Sequence, residues 1–422
     1  MEYNKREIGN IRLHTIKTNK FKNIIIDVKI GAPFAVLDIE KRSLLPYVLK
    51  AASQKYKSKE AISKKLELLY GAGISVSTSR QGNLSVMNFT MKIINEKFIK
   101  NKGLFEEALK FLREIILNPL AKDGHFSRGV VNEEKRLLLE EIEALKEDKG
   151  NYAYTLFNKE MFKNELQRYR SIGEAKNVKK VNNVNLYEYY LKCIKDDSVD
   201  VLIVGDVSNT EYLVSKYLDF GTKKDIAVLD YETKIIKKVK EVTKYDDIKQ
   251  SHLIIGYRTN IRADHEFHIA NVVLNTILGG YQNSLLFMNV REKASLAYAV
   301  MSKNNALKGF IYIWAGIDGN KKEEAKQIII EQVSKIKNGD FSEKDIDGAK
   351  AYLISGLYET LDSMRYISQK AYNDTILNRN FDIDKMIEDF QKVTKKDIIK
   401  ASKMLKLDTV FYLLGDDKHA EN

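Results

Sequence analysis

The sequence predicts an α+β fold in which one type of domain, a mainly antiparallel sheet covered by helices, occurs twice. The segment VDVLIVGDVS at 199–208 is echoed by DTVFYLLGDD at 408–417, and each is an apolar strand closed by Gly-Asp. A chain of 422 residues also exceeds the roughly 250 to 300 residues at which a single core stops growing. Strand pairs and helix pairs alternate in both halves, an order that indicates helices layered on an antiparallel sheet.

The first half contains strands, two helices, a hairpin, two longer helices and a closing strand. Apolar residues alternate with period two in the strands and recur every three to four residues in the helices. Pro46 is expected in the first turn of a helix, where proline is tolerated. The predicted elements are strands at 11–17 and 23–32, helices at 44–52 and 61–70, a hairpin with its turn at 81–83, helices from 105 to 117 and from Ser127, and a strand at 201–206.

The second half repeats this plan. Its predicted elements are a strand at 251–259, a helix from Asp264 to Leu278, a strand at 296–302 and an apolar strand at 308–317, followed by further helices. The strand at 308–317 is apolar on both faces, which favours a central position in the sheet. We therefore predict an N-terminal domain over 1–220, a lysine-rich linker over 221–250 and a C-terminal domain over 251–422.

Composition indicates a cytoplasmic protein that binds neither membranes nor nucleic acid. A single cysteine, Cys193, suits a reducing compartment. The first twenty residues are too polar for a secretory signal, and no apolar run approaches the roughly 18 residues of a membrane span. The net charge is +12, but the lysines alternate with acidic residues along helices, a pattern typical of solvated faces. The densest basic stretches carry no interleaved aromatic residues on which bases would stack.

The most informative stretch is LGGYQNSLLFMNVREKASLAYAVMS at 278–302. It places Arg291 and Tyr298 at a junction between a helix and a strand. A guanidinium and a phenol can both donate hydrogen bonds to a carbonyl oxygen, which is what polarising a peptide bond requires. The alternative interpretation is that Arg291 pairs with a surface carboxylate and that Tyr298 is a core aromatic residue.

The order of Leu-Gly-Gly, Arg-Glu-Lys and Leu-Ala-Tyr in this stretch resembles the second-half signature of the insulinase/pitrilysin zinc peptidase family. The segment from Ser43 to Gly73 resembles the first helix of that family and the Leu-Tyr-Gly-Ala turn after it. Active members carry H-x-x-E-H on this helix, with two histidines that bind zinc and a glutamate that activates the bound water. The corresponding positions hold Ser43, Pro46 and Tyr47 in this chain, so the motif is degenerate.

The resemblance places the third zinc ligand of the family at Glu141, with Glu140 as the nearest alternative. A single carboxylate does not hold zinc, so we interpret Glu141 as a charge on a solvated helix face. The other candidate ligands, six histidines and Cys193, form no H-E-x-x-H or paired C-x-x-C motif. His265 and His268 stand three residues apart and are predicted to face solvent. We expect no metal and no cofactor in this chain.

The resemblance implies a role in peptide hydrolysis that this chain does not complete alone. In family members split over two chains, one chain brings the zinc and the other the Arg-Tyr pair. The sequence therefore predicts the non-zinc subunit of a heterodimer, in which Arg291 and Tyr298 bind the peptide substrate and a homologous partner holds the zinc. The alternative is a structural or peptide-binding scaffold of the same fold, alone or self-associated, in which the two residues only fasten the junction.

Overall fold

A computed structural model describes residues 1–100, 102–220, 228–229 and 235–415. The chain divides into two compact units. Unit 1 comprises 1–144, 169–228 and 361–381, and unit 2 comprises 145–168, 229–360 and 382–422. Asp416 of the second Gly-Asp repeat, His419 and residues 221–227 and 230–234 of the predicted linker lie outside the described residues.

The strands form one sheet in each unit and one short hairpin. The described part of the chain contains β1 (Glu2–Ile8), β2 (Ile11–Lys17), β3 (Asn23–Pro33), β4 (Gly73–Gln81), β5 (Leu84–Ile94), β6 (Ala121–Lys122), β7 (His125–Phe126), β8 (Ser198–Gly205), β9 (Lys240–Asp246), β10 (Ser251–Arg258), β11 (Ala297–Asn305), β12 (Phe310–Ile317) and β13 (Lys406–Gly415). The β9 strand lies within the segment predicted as a linker.

The two sheets share one strand order. Unit 1 has the order β1-β2-β8-β3-β5-β4, and unit 2 has the order β11-β12-β10-β13-β9. Read from its β4 edge, the first sheet therefore matches the second strand for strand, with β1 as an addition. Both sheets are antiparallel except at one equivalent place, where β2 pairs in parallel with β8 and β9 with β13. The duplicated α+β architecture predicted from the sequence is confirmed.

Helices cover these sheets. They are α1 (Ile39–Ala51), α2 (Lys59–Leu68), α3 (Leu104–Leu117), α4 (Arg128–Ala144), α5 (Lys149–Met161), α6 (Ala175–Val178), α7 (Asn183–Asp196), α8 (Thr210–Tyr217), α9 (His268–Asn275), α10 (Lys322–Asn338), α11 (Glu343–Thr360), α12 (Met364–Ile376), α13 (Ile383–Lys392) and α14 (Lys395–Lys403). Two π-helical segments, Thr276–Gly280 and Phe287–Lys293, precede β11. Short 3-10 turns occur at Val36–Asp38, Glu96–Phe98, Leu166–Arg168 and Gly319–Lys321.

The core of unit 1 lies between its sheet and helices such as α3. The α3 helix is strongly amphipathic, and Leu109, Leu112 and Ile116 on its apolar stripe are fully buried. It ends at Leu117, one residue before Asn118-Pro119, because the residue before a proline disfavours the helical conformation. The predicted hairpin is also confirmed, with Gln81 opposite Leu84 across a two-residue turn.

In unit 2 the α5 helix packs against β10 and β13. Its Phe157 lies among buried aromatic residues of the sheet, including Tyr312 and Phe411. Gly256 on β10 allows this contact, because a Cβ atom there would lie 2.7 Å from the ring of Phe157. The strand predicted at 308–317 corresponds to β12, which has a neighbour on each side as predicted.

The start of α9 differs from the prediction. The helix expected from Asp264 begins at His268, and its last predicted turn, Thr276–Gly280, is π-helical. The reason is local, since the N–H of Phe267 donates to Nδ1 of His265 at 3.0 Å and holds the preceding residues in a turn. None of the described helices has the length and hydropathy that crossing a lipid bilayer requires.

Candidate functional site

The degenerate zinc positions lie on α1 in unit 1. The prediction that Pro46 occupies a first helical turn is wrong, because α1 begins at Ile39 and Pro46 falls in its interior. Proline has no N–H, so the helix leaves the carbonyl of Arg42 without its usual donor. The hydroxyl of Thr78 on β4 donates to that carbonyl at 3.1 Å. A neighbouring strand thus satisfies the group that the proline leaves open.

Ser43 and Tyr47 lie one turn apart on the same helix. Ser43 is only 2% exposed, whereas Tyr47 is half-buried and lines a cavity. Burial raises the pKa of the Tyr47 phenol, and the nearby carboxylates of Glu141 and Glu134 raise it further. Tyr47 is therefore a neutral hydrogen-bonding group that faces the position expected for the third ligand. Glu141 itself is exposed on α4.

The cavity beside Tyr47 has a volume of about 480 Å³ and is lined by residues of α1, α2, β4 and α4. Glu134 lies in it and is only 6% exposed. The ammonium of Lys59 approaches a carboxylate oxygen of Glu134 at 2.6 Å and one of Glu133 at 2.8 Å. These two carboxylates raise the pKa of Lys59. Two lysines of the chain itself, Lys50 and Lys59, thus line this cavity, and Lys59 pairs with carboxylates.

These residues do not fit a zinc ion. A hydroxymethyl group and a neutral phenol stand where two zinc-binding imidazoles would be needed, and an imino ring stands where the motif has its water-activating carboxylate. Among the residues that the structure describes, no group of three or more His, Cys, Asp or Glu side chains is arranged to hold a metal. Glu134 was not identified from the sequence. Its signal was the spacing of seven residues to Glu141, which places both carboxylates on one face of α4.

Arg291 lies in the π-helical segment before β11, in unit 2. Its side chain is exposed, and its guanidinium carbon lies 4.7 Å from the centre of the Phe287 ring. Nε is 3.7 Å from a carboxylate oxygen of the adjacent Glu292, a long and solvent-screened contact. The Arg291 guanidinium thus stacks on the Phe287 ring, and its side chain remains accessible to solvent.

Tyr298 lies at the start of β11, an edge strand of the five-stranded sheet. The pairing of β11 with β12 shifts between Ala297 and Ala299, so Tyr298 is the extra residue of a β-bulge. Bulges redirect side chains at sheet edges, and Tyr298 is 72% exposed. It is therefore not a core aromatic residue. The chain reverses just before it, where Ser295 has a φ of 51° and the N–H of Leu296 donates to the Val290 carbonyl at 3.0 Å.

The remaining candidate residues are Cys193 and the pair His265 and His268. Cys193 is buried beside Arg42, and burial raises its pKa to about 12, so the thiol is inert at neutral pH. His265 and His268 are both half-buried, which corrects the prediction that they face solvent. The cause is the short turn before α9, which brings His265 against Phe267.

Two features together define the class of protein: a duplicated α+β unit of the peptidase type, and a zinc position that has lost its ligands. A probable inactive metalloprotease of Bacillus subtilis, YmfF, is 34% identical over 98% of both chains. The sequence profile of the peptidase M16 inactive domain matches residues 180–353. This chain therefore belongs to the peptidase M16 family, the insulinase/pitrilysin family recognised in its motifs.

Other relatives agree with this assignment. A second Bacillus subtilis protein, the uncharacterized zinc protease YmxG, is 24% identical over 64% of this chain and 66% of its own length. The crystal structure of a conserved protein from Enterococcus faecalis superposes with a TM-score of 0.92 at 28% identity, over 98% of this chain and 99% of that one. The chain is thus an inactive metalloprotease-like member of the family.

Proposed function

We propose that this chain is the non-zinc subunit of a heterodimeric peptidase and contributes Arg291 and Tyr298 to substrate binding. The observation that carries the proposal is the exposure of Tyr298 at a bulge of an edge strand, with Arg291 exposed in the segment before it. A tyrosine kept at the surface in this way contributes little to the core, so we infer that it serves binding.

The chemical role of the pair is to hold carbonyl oxygens of an extended peptide. The Tyr298 phenol donates one hydrogen bond, and the Arg291 guanidinium donates several in a planar fork. The outer edge of β11 also presents main-chain N–H and C=O groups that an added strand can pair with. Such pairing binds peptides with little dependence on sequence. Hydrolysis itself belongs, in this proposal, to a homologous partner that retains H-x-x-E-H.

Relatives of both kinds, one named inactive and one named a zinc protease, occur together in one organism. Bacillus subtilis encodes both the relative named a probable inactive metalloprotease and another named a zinc protease. By analogy, we propose that the organism of this chain supplies a zinc-bearing homologue. We place the complex in the cytoplasm, because a single buried cysteine suits a reducing compartment.

The test is co-expression with a homologue from the same genome that retains H-x-x-E-H, followed by a peptide-cleavage assay and gel filtration. Arg291→Ala and Tyr298→Phe should each reduce kcat/KM by at least about tenfold, since a lost donor to a developing oxyanion has large effects. The matched control is Tyr358→Phe, at a tyrosine that is also exposed. Assembly should be unchanged in all three variants.

Two results would count against the proposal. Unchanged cleavage in both variants, with the heterodimer intact, would favour a structural or peptide-binding scaffold. A failure of the chain to associate with any zinc-bearing homologue would remove the heterodimer altogether.

A further inference from the structure

A second cavity in unit 1 has a strongly basic lining. It has a volume of about 1160 Å³ and lies where the β6-β7 hairpin meets the starts of α4 and α7. Its charged and titratable lining residues are Lys57, Lys122, His125, Arg128 and Lys135. We call this cavity the basic groove. It shares no lining residue with the cavity beside Tyr47.

The cations of the basic groove are not neutralised by the protein. No aspartate or glutamate lines the cavity. Lys57, Lys122 and Arg128 are exposed, and none of them forms an ion pair with another residue in the described ranges. Lys135 is half-buried, and its ammonium donates to the carbonyl of Val181 at 3.0 Å, which fixes its position. Like charges held in one concave space repel each other unless an anion joins them.

Helix orientation adds to the positive potential. The α4 and α7 helices both begin at the groove, and the N-terminus of a helix carries a partial positive charge. Arg128 is the first residue of α4. A cation at that place opposes the helix dipole, so its position is not explained by stability of the helix.

We propose that the basic groove binds a small ligand that carries two or more phosphate groups. The guanidinium of Arg128 lines the groove at the positive end of α4 and matches the oxygens of one phosphate. Lys57 and Lys122 come from other segments of the chain. A ligand with further negative groups can contact these cations as well as Arg128. Neutral side chains such as Asn132 and Gln54 complete the lining and supply donors and acceptors for the rest of the ligand.

The test uses the full chain and inorganic tripolyphosphate in isothermal titration calorimetry. We expect saturable binding with one site per chain, weaker as salt is added. Orthophosphate should bind more weakly than tripolyphosphate, because one phosphate cannot reach all of the cations. The variant Lys57→Ala/Lys122→Ala/Arg128→Ala should reduce the affinity by at least about tenfold, since each charge-assisted contact contributes substantially.

The matched control is Lys321→Ala/Lys344→Ala/Lys396→Ala, which removes the same charge from three exposed lysines of unit 2. It should leave the affinity within about twofold, since none of these lysines lines the groove. Equal losses in both variants would show non-specific attraction and overturn the proposal. So would an absence of binding, equal affinity for orthophosphate, or tighter binding of a hexaglutamate peptide. Thermal unfolding of both variants should match that of the unmodified chain and verify that they are folded.

Discussion

The ammonium of Lys59 lies 2.6 Å from a carboxylate oxygen of Glu134, inside the cavity that Tyr47 and Glu141 also line. Glu134 is almost completely buried, whereas about half of the Lys59 side chain is exposed. The lysine therefore supplies the positive charge that offsets the cost of burying the Glu134 carboxylate. The negative charge of Glu134 in this cavity is thus balanced by a lysine of the same chain.

The first prediction concerns this ion pair. Lys59→Met should lower the free energy of unfolding by roughly 1–3 kcal/mol, because it leaves the Glu134 carboxylate without its cation, and the partial exposure of the pair reduces the full cost of a buried charge. Denaturant unfolding followed by circular dichroism gives the value. The control is Lys64→Met, whose partner Glu60 is exposed and which should cost less than about 0.5 kcal/mol. Equal effects of the two changes would contradict the assignment.

The second prediction separates binding from structural roles for Arg291 and Tyr298. Because both side chains are exposed, Arg291→Ala and Tyr298→Phe should each change the free energy of unfolding by less than about 0.5 kcal/mol. Tyr412→Phe, in the same sheet, should cost about 1 kcal/mol, because Tyr412 is fully buried and its hydroxyl lies 3.3 Å from Glu323. If the exposed changes cost as much as the buried one, the two residues fasten the junction.

The third prediction concerns metal content. The purified chain should carry no stoichiometric zinc by elemental analysis, since Ser43, Pro46 and Tyr47 supply no zinc ligands. The variant Ser43→His/Pro46→Glu/Tyr47→His should gain zinc if Glu141 is in place as a third ligand. Because position 43 is buried, the larger histidine side chain should destabilise the core by about 1–3 kcal/mol. Adding Glu141→Gln to that variant should then lower the zinc content. A zinc ion in the unmodified chain would refute the site described above.

The fourth prediction is a pH dependence that arises from Asp200. Burial by itself raises the pKa of this carboxyl, but hydrogen bonds with His14 and Arg12 outweigh burial and hold the pKa below its ordinary value. The contacts are 2.9 Å from His14 Nε2 and 2.8 and 2.7 Å from Arg12. A carboxyl with a lowered pKa stabilises the fold above its unfolded pKa, about 3.9, and this contribution is lost as pH falls through the folded value.

The urea midpoint should therefore fall as the pH is lowered from about 6 to 3, in the range where the unfolded carboxyl begins to take up protons. Asp200→Asn should flatten this part of the profile as well as lower stability at neutral pH. The comparison variant is Asp362→Asn, at an exposed carboxylate paired with Lys20, which should leave the slope unchanged. An unaltered slope in Asp200→Asn would show that other groups govern acid unfolding.

Most of the architecture was predictable from local patterns. The alternation of apolar residues in strands such as 84–93 and their three-to-four-residue spacing in α3 involve only residues that are near one another in sequence. The secondary-structure elements and the duplicated plan could therefore be predicted from the sequence. Pro46 was misplaced because the start of α1 is set by packing of residues before the apolar run. The carbonyl that the proline leaves open is satisfied by Thr78, more than thirty residues away in sequence, and no local pattern predicts such a partner.

The sequence by itself determined the chemistry that this chain lacks, because serine, proline and tyrosine at positions 43, 46 and 47 are not the ordinary zinc ligands or the base of the family motif. It also determined which residues could bind a carbonyl oxygen. Only the tertiary structure decided that Tyr298 is exposed and that Lys59 reaches Glu134. Exposure depends on strand register and the bulge in β11, and the ion pair depends on the approach of α2 to α4. Residue identity fixes what a group can do, and contacts between distant segments fix whether it is placed to do it.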